Sequence, residues 1–140
     1  MFSQTTEYAL RAAAYLAQNH PHACNSQEVA EATKVPPGYM SKVLLGLAKA
    51  GIVRSQRGMG GGFVLAREPK AITILDVVNV FDNVQVIDRC PLGLPEHHEL
   101  CPLHQQLNEA IWVVRKSLGG TSLEDLTRQA TESICCKLHK

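Results

Sequence analysis

Apolar positions at three- and four-residue spacing recur along most of this chain, and only between residues 52 and 65 do they shrink to short runs parted by glycine. Residues 3–19 are rich in Ala and Leu, include Tyr8, Leu10 and Tyr15, and hold neither Pro nor Gly, which predicts a helix. It ends before His20-Pro21. Asn25-Ser26-Gln27-Glu28 has the form of a reciprocal cap, with Asn25 accepting from the Glu28 amide and Glu28 bonding back, so a short second helix is expected to about Thr33. Pro36 and Pro37 stop it and open a third, in which Met40, Val43, Leu44 and Leu47 repeat at i, i+3, i+4, i+7. The other face of that helix carries Ser41, Lys42, Leu45, Gly46 and Lys49. After Gly51, the runs Ile52-Val53 and Phe63-Val64-Leu65 read as the strands of a hairpin with a glycine-rich tip.

Thr73, with Asp76 three residues on, caps a fourth helix to Phe81 that is apolar on most sides and expected to be buried. Residues 82–100 lose the pattern to Pro, Gly, His and acids, a connection longer than most and of the kind that carries function or lacks order. A long helix over 102–118 follows. Its Leu103, Leu107, Ala110, Ile111, Val114 and Leu118 have the spacing of a two-helix seam and are read as a dimerisation face; the alternative is packing on the helix's own domain. Gly119-Gly120 breaks it, Thr121-Ser122-Leu123-Glu124 is expected to cap a last helix to about Ser133, and the tail is expected to be loose. The expected fold is mainly α with a small β-hairpin: a winged helix-turn-helix with a long C-terminal dimerisation helix. The expected organisation is a DNA-binding domain over 1–82, a Cys/His sensor loop over 83–101, dimerisation and packing helices over 102–134, and a tail over 135–140.

Charge sharpens that picture. The 140 residues, 45% of them hydrophobic, suffice for one domain with a sizeable core, and the net charge is only +1. Residues 1–70 hold eight Lys or Arg against four Asp or Glu (+4), whereas residues 71–140 hold six against nine (−3). Lys34, Lys42, Lys49, Arg54, Arg57 and Arg67 follow one another with no acid between them. A localised basic patch attracts a phosphate backbone, so nucleic acid is the expected partner, and the helix-turn-helix pattern makes it double-stranded DNA. Gly38, Tyr39, Ser41 and Lys42 would read bases from the start of the third helix, with Lys49, Arg54, Arg57, Gly58, Gly60 and Gly61 supporting them from its end and from the wing. The bland alternative is a solvated lysine face and a flexible hairpin tip. Gly58-Met59-Gly60-Gly61-Gly62 is no nucleotide loop: a phosphate loop needs Gly-Lys-Ser/Thr, and the dinucleotide fingerprint needs a glycine where Phe63 stands.

Candidate chemistry concentrates in the long loop. Cys90, His97, His98, Cys101 and His104 are soft or borderline metal ligands, and the Cys101-Pro102-Leu103-His104 spacing lets both side chains face one metal at a helix start. The alternative is that the cysteines are small buried hydrophobes and the histidines solvated. Five cysteines (Cys24, Cys90, Cys101, Cys135, Cys136) with neither a signal segment nor a membrane-length apolar run point to a cytoplasmic chain using metal or thiol chemistry rather than a disulfide framework. Cys24 is read as structural, and Cys135-Cys136 with His139 as a weaker metal candidate. No nucleophile, base and orienting acid occur together, so the chain is read as no enzyme.

Thr6-Glu7-Tyr8-Ala9-Leu10-Arg11-Ala12, residues 35–51, Arg57-Gly58-Met59-Gly60-Gly61-Gly62-Phe63-Val64-Leu65 and Ile74-Leu75-Asp76-Val77-Val78 together resemble the Rrf family of bacterial winged-helix regulators, which includes the iron-sulfur regulator IscR and the nitric-oxide sensor NsrR. The resemblance spans nearly the whole chain. It implies a homodimeric transcription regulator that reads a partly palindromic site in double-stranded promoter DNA and, in many members, uses a cluster-bearing loop to switch its DNA affinity. It assigns Cys90 and Cys101 to the family's first and last cysteines, His104 to a following histidine, and Glu7 to a carboxylate ligand supplied across the dimer. Three-cysteine members have a central cysteine, whereas residues 91–100 here have none. A two-iron cluster completed by His97, His98, His104 or Glu7 is therefore the favoured cofactor, since histidine can replace cysteine on one iron. The alternatives are zinc or no metal, with DNA binding gated by zinc or by thiols, or a protein-interaction module without a cluster.

Overall fold

In the computed structural model, residues 1–91, 93 and 99–132 are described, the side chains of 130–132 excepted. Six helices and one hairpin follow in the order α1 (Gln4–Asn19), α2 (Ser26–Thr33), α3 (Pro37–Lys49), β1 (Val53–Gln56), β2 (Gly62–Leu65), α4 (Ile74–Phe81), α5 (Pro102–Gly119) and α6 (Leu123–Glu132), with a short 3-10 turn, Pro69–Ala71, before α4. The chain is mainly α with a two-stranded hairpin, the winged-helix arrangement.

Local signals set the helix ends. Ser3 caps α1, its side chain accepting the Thr6 amide. Asn25 Oδ1 accepts the Glu28 amide at 2.8 Å, but the expected return bond is replaced: the Glu28 carboxylate takes the Tyr15 hydroxyl at 3.1 Å, tying α2 to α1. Thr73 and Asp76 form the reciprocal cap of α4 in full. The last cap lies one residue later than the Thr121–Glu124 quartet, because Ser122 Oγ accepts the Asp125 amide and Asp125 accepts the Ser122 amide.

The predicted stripe of α3 is the centre of the core: Met40, Val43, Leu44 and Leu47 are fully buried, together with Leu16, Val29 and Ile72. Burying each of the larger aliphatic side chains stabilises the fold by about 1.5–3 kcal/mol. On α4 only Val77 and Val78 are fully buried, and Ile74, Leu75, Val80 and Phe81 are half-buried, less than its apolar sequence predicts. Gly46 also departs from its expected place on the open face. It seats the Phe81 ring, where a Cβ would lie 2.7 Å from a ring carbon.

The hairpin is antiparallel in the register Val53↔Leu65, Arg54↔Val64, Ser55↔Phe63 and Gln56↔Gly62. Cys24 joins its outer edge by two backbone bonds with Phe63, of 2.9 and 2.7 Å, so the wing is fastened to the turn before α2. Further on, α6 returns to the winged-helix core: Leu123 is fully buried, its amide donates to Ile72 O at 2.9 Å, and Thr73 and Ser122 form a bridge.

Candidate functional site

Pro36 caps α3 with no side-chain bond, and its carbonyl accepts the amides of Tyr39 and Met40 at 3.0 and 2.9 Å. The first turn thus faces outward with Gly38 in open space. Ser41, Lys42, Leu45 and Lys49 follow on the exposed side of the same helix. Ser41 Oγ lies 3.1 Å from Ser26 Oγ and bonds Pro37 O, which fixes it against the N-terminus of α2. Arg54 and Arg57 are exposed on the hairpin. Gly58 and Gly60 adopt positive φ values of 99° and 73° at its tip, a conformation that favours glycine, and Gly61 closes the turn with a 3.0 Å bond to Gly58 O.

Tyr39 is more tightly held than the other proposed readers. Its hydroxyl lies 2.6 Å from Thr5 Oγ1, and its ring meets Tyr8 edge-on with centroids 5.2 Å apart. Arg11 stands 5.7 Å from the centre of the Tyr8 ring and pairs with Glu7 at 3.1 Å. Thr5 and Tyr8 therefore brace the start of α3 from α1, and Arg11 backs the Tyr8 ring. Sequence reasoning passed over this bracket; the only trace of it there was three polar or aromatic positions on one side of α1.

The sensor candidates divide. Cys101 is the N-terminal boundary residue of α5, and its Sγ lies 3.2 Å from His104 Nδ1 in the first turn. Cys90 is 8% exposed at the end of the stretch after α4. Glu7 is occupied by Arg11. His97 and His98, like Cys135, Cys136 and His139, lie outside the described residues. Among the described residues no three His, Cys, Asp or Glu side chains come together as a metal-holding group. The donor chemistry of the Cys101–His104 pair fits both a cluster with mixed ligands and zinc, but the pair alone completes neither. Cys24 belongs elsewhere: burial, then the nearby Glu28 carboxylate, push its thiol up to about 11, and it is unsuited to thiolate chemistry.

On α5 no residue is fully buried. Of the expected seam, Leu103, Leu107 and Ala110 are exposed, whereas Ile111, Val114 and Leu118 are half-buried within the protomer. Trp112 and Val113, absent from that reading, are 59% and 69% exposed. The polar side of the helix grips the loop: Asn108 exchanges bonds of 2.7 and 2.8 Å with the backbone of Ile87, and Arg115 donates to Val84 O at 2.5 Å. These two residues, seven apart on one helix face, were also missed.

Residues 2–129 match the family model of Rrf2, described as an iron-dependent transcriptional regulator. The chain belongs to the Rrf2 family. A protein of Aquifex aeolicus assigned as an HTH-type transcriptional regulator is 35% identical over 130 residues, 90% of each chain. The HTH-type transcriptional regulator NsrR of Bacillus subtilis is 31% identical over 127 residues, covering 88% of this chain and 87% of that one. The structure of CymR, the global cysteine regulator of B. subtilis, matches with a TM-score of 0.75 and 29% identity over 92% of this chain and 97% of that one. Membership makes the chain a DNA-binding transcription regulator and not an enzyme. No helix among the described residues of this Rrf2 protein is long and apolar enough to cross a membrane.

Proposed function

We propose that the chain acts as a homodimer on partly palindromic promoter DNA, and that an iron-sulfur cluster of the two-iron form, held at Cys90 and Cys101, sets its affinity. The observation that carries the sensor is the 3.2 Å contact between Cys101 Sγ and His104 Nδ1, because a thiol and an imidazole meet in the first turn of the helix with the unpartnered apolar face. The iron-dependent description of the Rrf2 model supports iron over other metals. The remaining ligands would come from His97, His98 or Glu7 of a second copy.

A bound cluster supplies a ligand charge that changes with redox state or with loss of iron. The protein's part is mechanical. Cys101 and His104 would hold the cluster at the start of α5, while Asn108 and Arg115 hold the stretch leading to Cys90 against the same helix. Leu103, Leu107, Ala110, Ile111, Val114 and Leu118 join two copies along α5, so displacement of this helix changes the separation of the two α3 helices. In the major groove Gly38, Ser41 and Lys42 face bases, Tyr39 positions the helix from its Thr5 and Tyr8 bracket, and Lys49, Arg54, Arg57 and the glycines 58, 60 and 61 follow phosphates.

A second reading is favoured by the likeness to CymR, a cysteine regulator: the same residues gate DNA binding through thiols or zinc, without a cluster. Visible absorption with iron, sulfide and zinc content separates the two, measured on protein purified without oxygen beside a Cys90→Ala, Cys101→Ala variant. A brown, iron-containing protein bleached by the variant is expected. A colourless protein after anaerobic handling and cluster supply would sink the cluster reading and leave the second.

A further inference from the structure

The recognition face of α3 contains one residue that its basic chemistry does not account for. Four large aliphatic side chains of the helix, Met40, Val43, Leu44 and Leu47, are fully buried, but Leu45 is 57% exposed. Its helical neighbours at i−4, i−3 and i+4 are Ser41, Lys42 and Lys49, all exposed, which puts it in the middle of the polar face rather than on the margin of the core. Across the hairpin Arg54 and Arg57 extend the same positive surface, and no acid occurs between Lys34 and Arg67.

An aliphatic side chain in such a setting has no hydrogen bond to offer and gains only by leaving water. The surrounding charge favours a polyanion over an apolar protein surface, which would have to strip water from Lys42 and Lys49 as well. In the major groove of DNA the apolar feature on base edges is the 5-methyl group of thymine, and aliphatic contact with it is an established mode of base readout.

We propose that Leu45 is a specificity-determining residue of this regulator, its side chain packing on a thymine methyl at one position of each half-site. Lys49, one turn further on, holds the helix to the phosphates at the depth that the contact needs, while Lys42, one turn back, faces a neighbouring base. Leu45 thus favours A·T over G·C at a position where the helix makes no hydrogen bond. The inference rests on α3 lying in the major groove.

The test uses the full-length chain, purified without oxygen, and a duplex selected by that protein from a randomised pool. Affinities of wild type, Leu45→Ala and Leu45→Met are measured on this duplex and on versions in which each symmetric thymine pair is replaced by uracil, which lacks only the methyl. Wild type is expected to lose about threefold to tenfold in affinity at one position, Leu45→Met to retain that sensitivity, and Leu45→Ala to bind uracil and thymine duplexes equally. Leu45→Ala should melt at the wild-type temperature, since the side chain is outside the core. Equal uracil sensitivity in wild type and Leu45→Ala at every position, or none in wild type, would overturn the assignment. Lys49→Ala provides the separate check: unchanged affinity and salt dependence in this variant would remove α3 from the groove and the underlying reading with it.

Discussion

Gly62 is pressed against the backbone of Cys24, so that a Cβ on it would stand 2.5 Å from the Cys24 carbonyl carbon and 2.7 Å from the Asn25 nitrogen. Its φ of 144° adds strain for any other residue. The neighbours in these contacts are backbone atoms held by the Cys24–Phe63 bonds and by the start of α2, and they cannot swing aside. Gly62→Ala should therefore break the fastening of the wing and destabilise the protein by about 2–5 kcal/mol. Gly60→Ala, with φ 73° and nothing within 4 Å, should cost only about 1–2 kcal/mol. Denaturant midpoints of the two variants measure the difference, and equal losses would show that Gly62 is there for flexibility alone.

Asp82 joins the end of α4 to the start of α1. The Ser3 amide donates to it at 2.7 Å, and this bond, followed by the Thr6 hydroxyl, holds its carboxyl below the usual carboxylate value. A carboxyl depressed in the folded state contributes stability that is fully present above its unfolded value of 3.8 and is lost as pH falls through the folded one. Stability should thus fall on acidification below about pH 4, and Asp82→Asn should flatten part of that fall. Part will persist, because Asp125 is lowered in the same direction by its bonds with Ser122. An unchanged pH profile in Asp82→Asn would show that the link between α1 and α4 carries no proton linkage.

The starts of α2 and α4 were legible because the information is local: Asn25 and Thr73 each bond an amide three residues on, whereas Ser3, which caps α1 in the same way, was read only as part of the helix. The buried stripe of α3 was legible for the same reason, as periodicity within one helix. What escaped was the pairing of distant segments. Nothing in the run around Cys24 announces that it will bridge to Phe63, and Gly46 looks like part of an open face until Phe81 arrives from α4. At the candidate site the residue types were readable and their arrangement was not. The Cys101–His104 contact follows from three-residue spacing on a helix, whereas the bracing of Tyr39 by Thr5 and the grip of Asn108 on Ile87 depend on how separate elements pack.

The exposed cations give a prediction in salt. Lys49 and Arg57 lie on α3 and at the hairpin tip, both open to solvent. If each neutralises one phosphate in each copy of the proposed homodimer, removing it removes two released counterions. Lys49→Ala and Arg57→Ala should each reduce the slope of log affinity against log salt by about two and weaken all duplexes alike. Binding isotherms between low and moderate salt test this. A wild-type slope in either variant would mean that its cation is merely solvated.

Leu123 tests to which part of the molecule α6 belongs. The helix follows α5 in the chain, but its first residue is fully buried, its amide bonds Ile72 O at 2.9 Å, and Ser122 bridges Thr73. These contacts make α6 a wall of the winged-helix core rather than an extension of the α5 arm. Leu123→Ala should then cost about 2–5 kcal/mol, as for other fully buried leucines, and should lower the midpoint of a single cooperative transition. Leu126→Ala, at a half-buried position on the same helix, should cost less. If α6 were an independent appendage, Leu123→Ala would instead leave the main transition in place, and protection from amide exchange would be lost from residues 123–132 alone; protection falling together in α1, α4 and α6 is the outcome that the packing demands.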